Sequence, residues 1–441
     1  MKKLLFLFAL SICALAVWAY DFSVVAPTGQ TLYYTITSDS TVEVSGGSNL
    51  SGSLTIPNIV ENGSTTYSVT DIGDSAFYQC FSLTTVTIPN SVVNIRNSAF
   101  RDCSELTTIS IPNSVTSIEM YAFAGCSLLN SIVIPNSVTS IGQFAFSGCC
   151  SLTAVSISNS TTRLERATFE NCNSLTTVNI PNSVTSISDY VFYECYSLTT
   201  VTIPNSVTSL GDFIFRGCSN LSSVNIPNSV TNIGEFIFYD CSSLTTVVLP
   251  DSITNIGDNV FYRCSGLTTI TIPNSVTSIG SCTFAYCSSL TSITIGSNVT
   301  SIGEHALYYC NYLDTIICNA VTPPTIADDN AFDGVFKGLS LIVPGESVGQ
   351  YQSAYGWRDF TNIIGAPVGI EEENFEYKVF ANNGAIAVSG AEGQTLRIYD
   401  VQGRLIISEK AADNKLYAVP TTGVYMVQVG KNRAQKMMVA K

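Results

Sequence analysis

The sequence predicts a mainly β chain, in which a long solenoid of stacked 23-residue coils is followed by a small antiparallel β-sandwich. Three observations carry that expectation. Eleven cysteines, Cys80, Cys103, Cys126, Cys149, Cys172, Cys195, Cys218, Cys241, Cys264, Cys287 and Cys310, are each separated by 23 residues. The same apolar positions recur between them. Past residue 374 the composition changes: lysine returns, and short alternating segments replace the repeat.

The period defines the unit. Three positions after each of these cysteines lies a leucine, from Leu83 to Leu313, and three before lies Phe, from Phe77 to Phe284, with Leu307 closing the series. Six after comes Val or Ile, and eight after comes Ile or Leu until Cys318. In Leu198-Thr199-Thr200-Val201-Thr202-Ile203-Pro204, Val201 and Ile203 point to one face and Thr200 and Thr202 to the other. Pro204 removes a ladder donor and Asn205-Ser206 turns the chain; Val207 and Leu210 return to the core, and Gly211 permits the next corner. Ile214 and Phe215 cover the core from the far side. No unit buries these residues alone, but stacking makes continuous apolar ladders, and this period falls in the leucine-rich-repeat range. Ten complete units from Cys80 to Tyr309 would extend roughly 50 Å at ~4.8 Å per coil.

The ends differ from the middle. Lys2-Lys3, the apolar run Leu4 to Ala16 and Val17-Trp18-Ala19 read as a secretory signal peptide over residues 1–19, cut between Ala19 and Tyr20. That run is too short to span a bilayer, and no other stretch is long and apolar enough, so no transmembrane segment is expected. Residues 20–79 read as an N-terminal cap with an irregular first repeat, Leu54 to Asn58, and an insertion from Glu61 to Tyr67. Residues 80–309 are the solenoid and residues 310–366 a C-terminal cap, with a strand at Leu341 to Pro344 and a short helix from Tyr351 to Phe360. A solenoid needs such atypical ends, because an open edge invites aggregation. Residues 367–374 form an acidic linker, and residues 375–441 the sandwich.

Composition removes several classes of function. The apolar fraction is 46% and only 12% of residues are charged, which excludes a disordered chain. The net charge is −14 and no lysine occurs between Lys3 and Lys337, so nucleic acid is not an expected partner. His305 is the single histidine, which removes HExxH zinc sites, and no GxGxxG, P-loop, GxSxG or CxxC pattern occurs. No catalytic residue, cofactor or metal site is expected, and the chain is read as not an enzyme.

The unit Cys-x-x-Leu-x-x-Val/Ile-x-Ile-Pro-x-Ser-Val-x-x-Ile-Gly-x-x-Ala-Phe resembles the BspA-type leucine-rich repeats of bacterial surface proteins. The resemblance covers about residues 50 to 365. Residues 375–441 are similar to the C-terminal sorting domain of type IX secretion cargo, through Tyr399, Asp400, Gly403 and Arg404, then Gly423 and Tyr425, then Lys436 and Lys441. These resemblances imply an exported protein displayed on the outer-membrane surface or released, engaging the type IX secretion machinery, and an adhesin for host matrix proteins, glycans or other cells. The alternatives are a passive surface spacer or coat component, or an enzyme with an unrecognised site.

Four sets of side chains stand out, each with a bland reading beside the sharp one. Neighbouring ladder cysteines lie close enough for disulfides, but stacked side chains point the same way, and no histidine or second cysteine converges on each to hold a metal; free buried thiols fit better. The outward Thr/Ser rows (Thr85 and Thr87, Thr200 and Thr202, Thr269 and Thr271) resemble an ice- or glycan-binding lattice, yet Val133, Ala154 and Val248 interrupt them and Thr suits any solvated strand face. A column five residues before the cysteines, Tyr121, Phe144, Tyr190, Phe213 and Phe236, offers partner anchors, or else lies flat over the corner of the core. His305 shares that column and reads as a surface residue. Asp212, Glu235 and Asp258 stack likewise and read as a solvated acidic edge rather than a cation site.

Overall fold

A computed structural model describes residues 20–366 and, beyond them, residues 378–382, 385–389, 392–400, 404–412, 415–420, 423–430 and 435–439. The signal peptide with Ala19, the linker, Gly403 and Lys441 lie outside the described residues. Two compact units emerge: residues up to 314 together with 324–336, and residues 315–323 together with 337 onward.

The first unit contains the coils, and the chain as a whole makes about fourteen turns at roughly 23-residue spacing. Each coil has three sides. On the first, short strands such as Thr177–Asn179, Thr200–Thr202 and Ser223–Asn225 pair in parallel, and the register matches residues one repeat apart: Val201 sits opposite Val178 and Val224. Their central residues are buried and the flanking ones exposed, as alternation requires. On the second side, two-residue strands such as Ser186–Ile187 and Ser209–Leu210 pair in the same way.

The third side consists of turns, yet it too is bonded from coil to coil. Phe213, Phe215 and Gly217 donate their N–H groups to the carbonyls of Glu235, Ile237 and Tyr239 at 3.0, 2.9 and 2.8 Å. The intervening donors close locally, Arg216 to Phe213 and Cys218 to Phe215. Backbone in the left-handed region makes this possible. Every residue of the column from Ser75 to His305, Phe213 among them, has φ between 54° and 60°. Such a conformation costs a non-glycine residue roughly 1–2 kcal/mol, and here it turns the peptide so that buried polar groups find partners in the next coil.

Phenylalanine and cysteine fill the interior behind these turns. The rings of Phe77 through Phe284 form one continuous stack, with centroids 5.0 to 5.9 Å apart and planes within 16° of parallel. Cysteine does more than fill space. Ten ladder thiols, Cys103 through Cys310, donate to the Phe carbonyl of the preceding coil at 3.1 to 3.3 Å. Phe215 therefore uses both carbonyl lone pairs, one for the Cys218 N–H and one for the Cys241 thiol. No described cysteine is in a disulfide. Burial raises these thiols: Cys195 and Cys310 are pushed up to about 12, and Cys218 and Cys241 well above the ordinary value.

Threonine and serine supply further ladders. Thr199, Thr176 and Thr153 each donate a hydroxyl to the carbonyl one repeat earlier, at 3.1 to 3.3 Å. Ser206 and Ser229 reach the Val184 and Val207 carbonyls at 2.6 Å. The corner glycines act differently from the expectation. Gly211 and Gly234 do not occupy the left-handed region; a Cβ on Gly234 would stand 2.2 Å from the Gly211 carbonyl oxygen, so close approach of coils is what excludes a side chain.

The first cap is an antiparallel meander, Phe22–Val25, Thr31–Ile36 and Thr41–Ser48, whose last strand passes the register to Thr65–Ile72. Tyr20 stacks on Tyr33, ring centroids 4.3 Å apart. The insertion from Glu61 to Tyr67 is a hairpin of Ile59–Asn62 against Thr65–Ile72, turned by Gly63 at φ 63°.

In the second unit, Thr315–Cys318, Ser340–Pro344 and Ile363–Ala366 form a parallel sheet. The expected helix from Tyr351 to Phe360 lies earlier, at Val348–Ser353, because Gly356 (φ 74°) follows in a turn. Tyr351 and Trp357 are fully buried and meet edge to face, and the Tyr351 hydroxyl donates to the Ala320 carbonyl at 2.8 Å. The C-terminal segment has two antiparallel sheets, one of Lys378–Asn382, Ala385–Ser389 and Leu416–Ala418, the other of four strands around Thr395–Asp400 and Gly423–Val429. They share one core that includes Ile386, Leu396, Tyr417 and Val427, which is the small sandwich foreseen.

Two outcomes are expected. Phe215→Ala should lower stability by about 3–5 kcal/mol in chemical denaturation, since coils locked at both neighbours cannot close the cavity. Because the folded thiols titrate above the ordinary value of about 8.5, their stabilisation is complete below that value and is lost as pH rises toward the raised ones. The melting temperature should thus fall above about pH 9, and replacing several ladder cysteines by alanine should flatten that fall.

Candidate functional site

The five aromatic candidates are neither free nor core. Tyr121, Phe144, Tyr190, Phe213 and Phe236 are all half-buried, carried outward by the left-handed turn residue of their coils. They form two stacks. Tyr121 faces Phe144 at 4.8 Å, and Tyr190, Phe213 and Phe236 follow at 4.7 Å intervals with planes within 10°. Ala167 separates the two stacks. Rings stacked this closely offer a partner their edges, and the face of a ring is open only where the stack ends.

A second column, which the sequence reading passed over, runs beside the first. Tyr193, Arg216, Tyr239 and Tyr262 stand two residues before their cysteines, and Tyr286 and Tyr309 continue the stripe. The Arg216 guanidinium sits among three rings, 4.7 Å from Tyr239, 5.5 Å from Tyr193 and 5.8 Å from Phe213. Tyr239 then stacks on Tyr262 at 4.6 Å, and Arg263 lies near both Tyr262 and Tyr286. Arg101 over Tyr121 and Arg166 over Tyr190, both at 4.9 Å, repeat the arrangement. The spacing of these residues is visible in the sequence, although Ala124, Ser147, Glu170 and Ala285 interrupt the position. Exposure grows toward the end of the stripe, with Tyr309 at 44% and nearby Tyr312 at 71%. Aromatic and arginine side chains of this kind supply most hot spots in protein interfaces.

Other candidates take structural positions. The Thr200 and Thr202 row is exposed, and Val133 and Val248 interrupt such rows at 69% exposure each. The acidic edge works within the fold: Asp189 accepts the Asp212 N–H at 3.0 Å, Asp212 the Glu235 N–H at 2.8 Å and Asp258 the Ser281 N–H at 2.6 Å. His305 is half-buried, with Nδ1 3.8 Å from Asp328, and one ligand atom each from Glu304, His305 and Asp328 lies within 4.8 Å of the others.

In the C-terminal sandwich, Asp400 clasps Arg404 through the Nε at 2.6 Å and the backbone N–H at 2.9 Å, tying the end of one strand to the start of the next. The Tyr399 hydroxyl reaches Gln428 at 3.5 Å and Tyr425 is buried. Gly423 opens the strand Gly423–Val429 and Lys436 lies in Gln435–Val439. Among the described residues no helix is long and apolar enough to cross a membrane.

Replacing Arg216 by Gln is expected to leave the solenoid folded, since its head group packs on the outside of the rings, and to lower stability by about 1 kcal/mol. Thermal denaturation checks this.

Residues 70–199 and 208–337 match the family described as BspA type leucine rich repeat region, in six copies. Residues 369–439 match a domain of unknown function, DUF6383. No curated protein matches significantly. Among solved structures, a leucine-rich repeat protein from Bacteroides ovatus is 31% identical, with a TM-score of 0.55, covering 78% of this chain and 99% of its own. The pneumococcal vaccine antigen PcpA, 19% identical, covers 79% of this chain and all of its own with a TM-score of 0.50, a likeness of fold. Since the repeat match spans more than half of the sequence and the Bacteroides ovatus likeness covers nearly all of that protein, the chain belongs to the BspA-type leucine-rich-repeat family.

Proposed function

We propose that this protein is an exported surface binding protein, an adhesin, that holds a protein or glycan on host matrix or neighbouring cells through the turn side of its coils. The observation that carries this reading is the Tyr/Phe/Arg stripe from Tyr190 to Tyr309, with Arg216 clamped among Tyr193, Phe213 and Tyr239. Such side chains are half-desolvated and pre-ordered by their own stacking, so a partner orders little on binding. Repetition along the coils adds weak contacts by avidity. Catalysis would need convergent groups with tuned pKa values, and this face repeats stacked rings, so the reading includes no enzymatic activity.

Two further elements belong to the proposal. Residues 1–19 direct export and are removed, and residues 375–441 address the chain to the type IX secretion machinery for surface display. The domain of unknown function matched there is compatible with that role and does not define it.

Tyr190→Ala, Phe213→Ala and Phe236→Ala together should melt within a few degrees of the parent yet bind matrix proteins, glycan arrays or cells at least tenfold more weakly. Undiminished attachment by the folded triple variant would move the binding face to the Thr-rich strand side, and no attachment by the parent to any of them would favour a passive spacer. Deleting residues 370–441 should leave a folded solenoid in the periplasm; normal surface display of the truncated chain, read by protease shaving, would refute the sorting role.

A further inference from the structure

One coil gathers several departures from the repeat. In the unit beginning at Cys149, Ser158 replaces the strand-ending proline, Thr161 replaces the core valine, Glu165 stands in the glycine-rich corner column, and Ala167 replaces the aromatic turn residue. Two of these changes are unfavourable for the solenoid itself. Thr161 is buried and its hydroxyl has no hydrogen-bond partner, and Ser158 is a fully buried hydroxyl that must bond the Val138 carbonyl. The same unit carries Arg163 and Arg166, two of the few cations in the coils.

Three side chains of this unit, Arg163, Glu165 and Arg166, meet in one place. A cleft of about 340 Å³ opens beside the short strands Arg163–Leu164, Ser186–Ile187 and Ser209–Leu210. Gln143, Arg163, Glu165, Arg166, Ser188 and Asp189 line it. Its volume falls at the small end of the ~300–1,000 Å³ usual for ligand sites.

The two arginines are held differently. Arg163 Nε is engaged by Glu165 at 3.3 Å and by the Ser188 hydroxyl at 3.2 Å. Arg166 pairs with no carboxylate among the described residues. Its guanidinium lies over the Tyr190 ring at 4.9 Å, in the gap that Ala167 leaves in the aromatic column. Stacking fixes the plane of the fork while leaving its donors for a ligand.

We propose that this cleft binds a carboxylate-bearing sugar residue, with Arg166 receiving the carboxylate. The surroundings select that chemistry. Glu165 and Asp189 can accept hydrogen bonds from hydroxyls, and Gln143 and Ser188 offer both donors and acceptors. A densely charged polyanion would meet these two carboxylates and a chain of net charge −14. A neutral sugar would leave the Arg166 fork unused. An acidic peptide would find no apolar pocket for its other side chains, since the aliphatic lining residues Ile187 and Leu210 are themselves buried in the core. The inference rests on the reading of the solenoid as a binding module and adds the ligand class.

The test uses the full chain and saturation-transfer NMR with titration. The probes are 3′-sialyllactose and a glucuronic-acid disaccharide, each beside its neutral counterpart, and a glutamate-rich peptide. At least one acidic sugar should bind at least tenfold more tightly than its neutral partner, and the preferred arm identifies the source of the carboxylate. Arg166→Gln should weaken that binding at least tenfold with the melting temperature within a few degrees of the parent, and Arg166→Lys should restore part of it. Equal binding of acidic and neutral sugars, no binding of either, an unaffected Arg166→Gln variant, or competition by the peptide alone would each overturn the proposal. Cell and matrix attachment measured on the same preparation separates the two readings: attachment without acidic-sugar binding refutes the cleft alone, whereas its absence from every surface refutes the binding module.

Discussion

In-register stacking at about 4.8 Å governs this protein, because every side chain meets a copy of its own position above and below. A column can therefore hold only chemistry that tolerates its own repetition. Phenylalanine stacks on phenylalanine, and threonine hydroxyls donate up the column to carbonyls, as Thr199 does to Thr176. A column of like charges would repel itself, which explains a chain with only 12% charged residues. Where acids do stack, as Asp189 and Asp212 do, each accepts a backbone N–H from the following coil, and the negative charge is offset by an oriented donor.

The turn side shows how the constraint reaches the backbone. Strands bond sideways by their nature; turns do not. Here the left-handed residue at Phe213 and its counterparts aligns three donors per coil with the stacking direction. The conformational cost recurs in every coil, and the axial bonds that offset it recur with it. The thiol of Cys241 then takes the second lone pair of the Phe215 carbonyl, leaving little unsatisfied behind the turn.

Much of this was legible in the sequence because repetition multiplies a weak signal. One Cys-x-x-Leu means little, but eleven at one spacing fix which residues share a column, and alternation in Thr200-Val201-Thr202 fixes which face is inside. What stayed hidden depends on backbone geometry. Cysteine read as a small hydrophobe, since a thiol donor becomes useful only once a turn leaves a carbonyl free. Tyr and Phe at left-handed positions went unforeseen because glycine or asparagine is the usual signal there. The corner glycine was credited with a turn when it serves close approach, and the helix at Val348–Ser353 was drawn past Gly356. The second aromatic column was countable, but single substitutions at Ala285, Ser147 and Glu170 masked it.

The carbonyl-to-thiol ladder has a consequence for how such a chain changes over generations. Each coil presents to its successor the acceptors that its predecessor presented to it. A duplication or loss of one 23-residue unit in the regular stretch thus creates no new kind of junction and strands no donor. Length becomes nearly neutral for folding, free to drift in gene copies through unequal recombination. The two caps and the irregular coil at Cys149 have no such freedom, because their contacts are made once, and they set the fixed points between which the number of coils can vary.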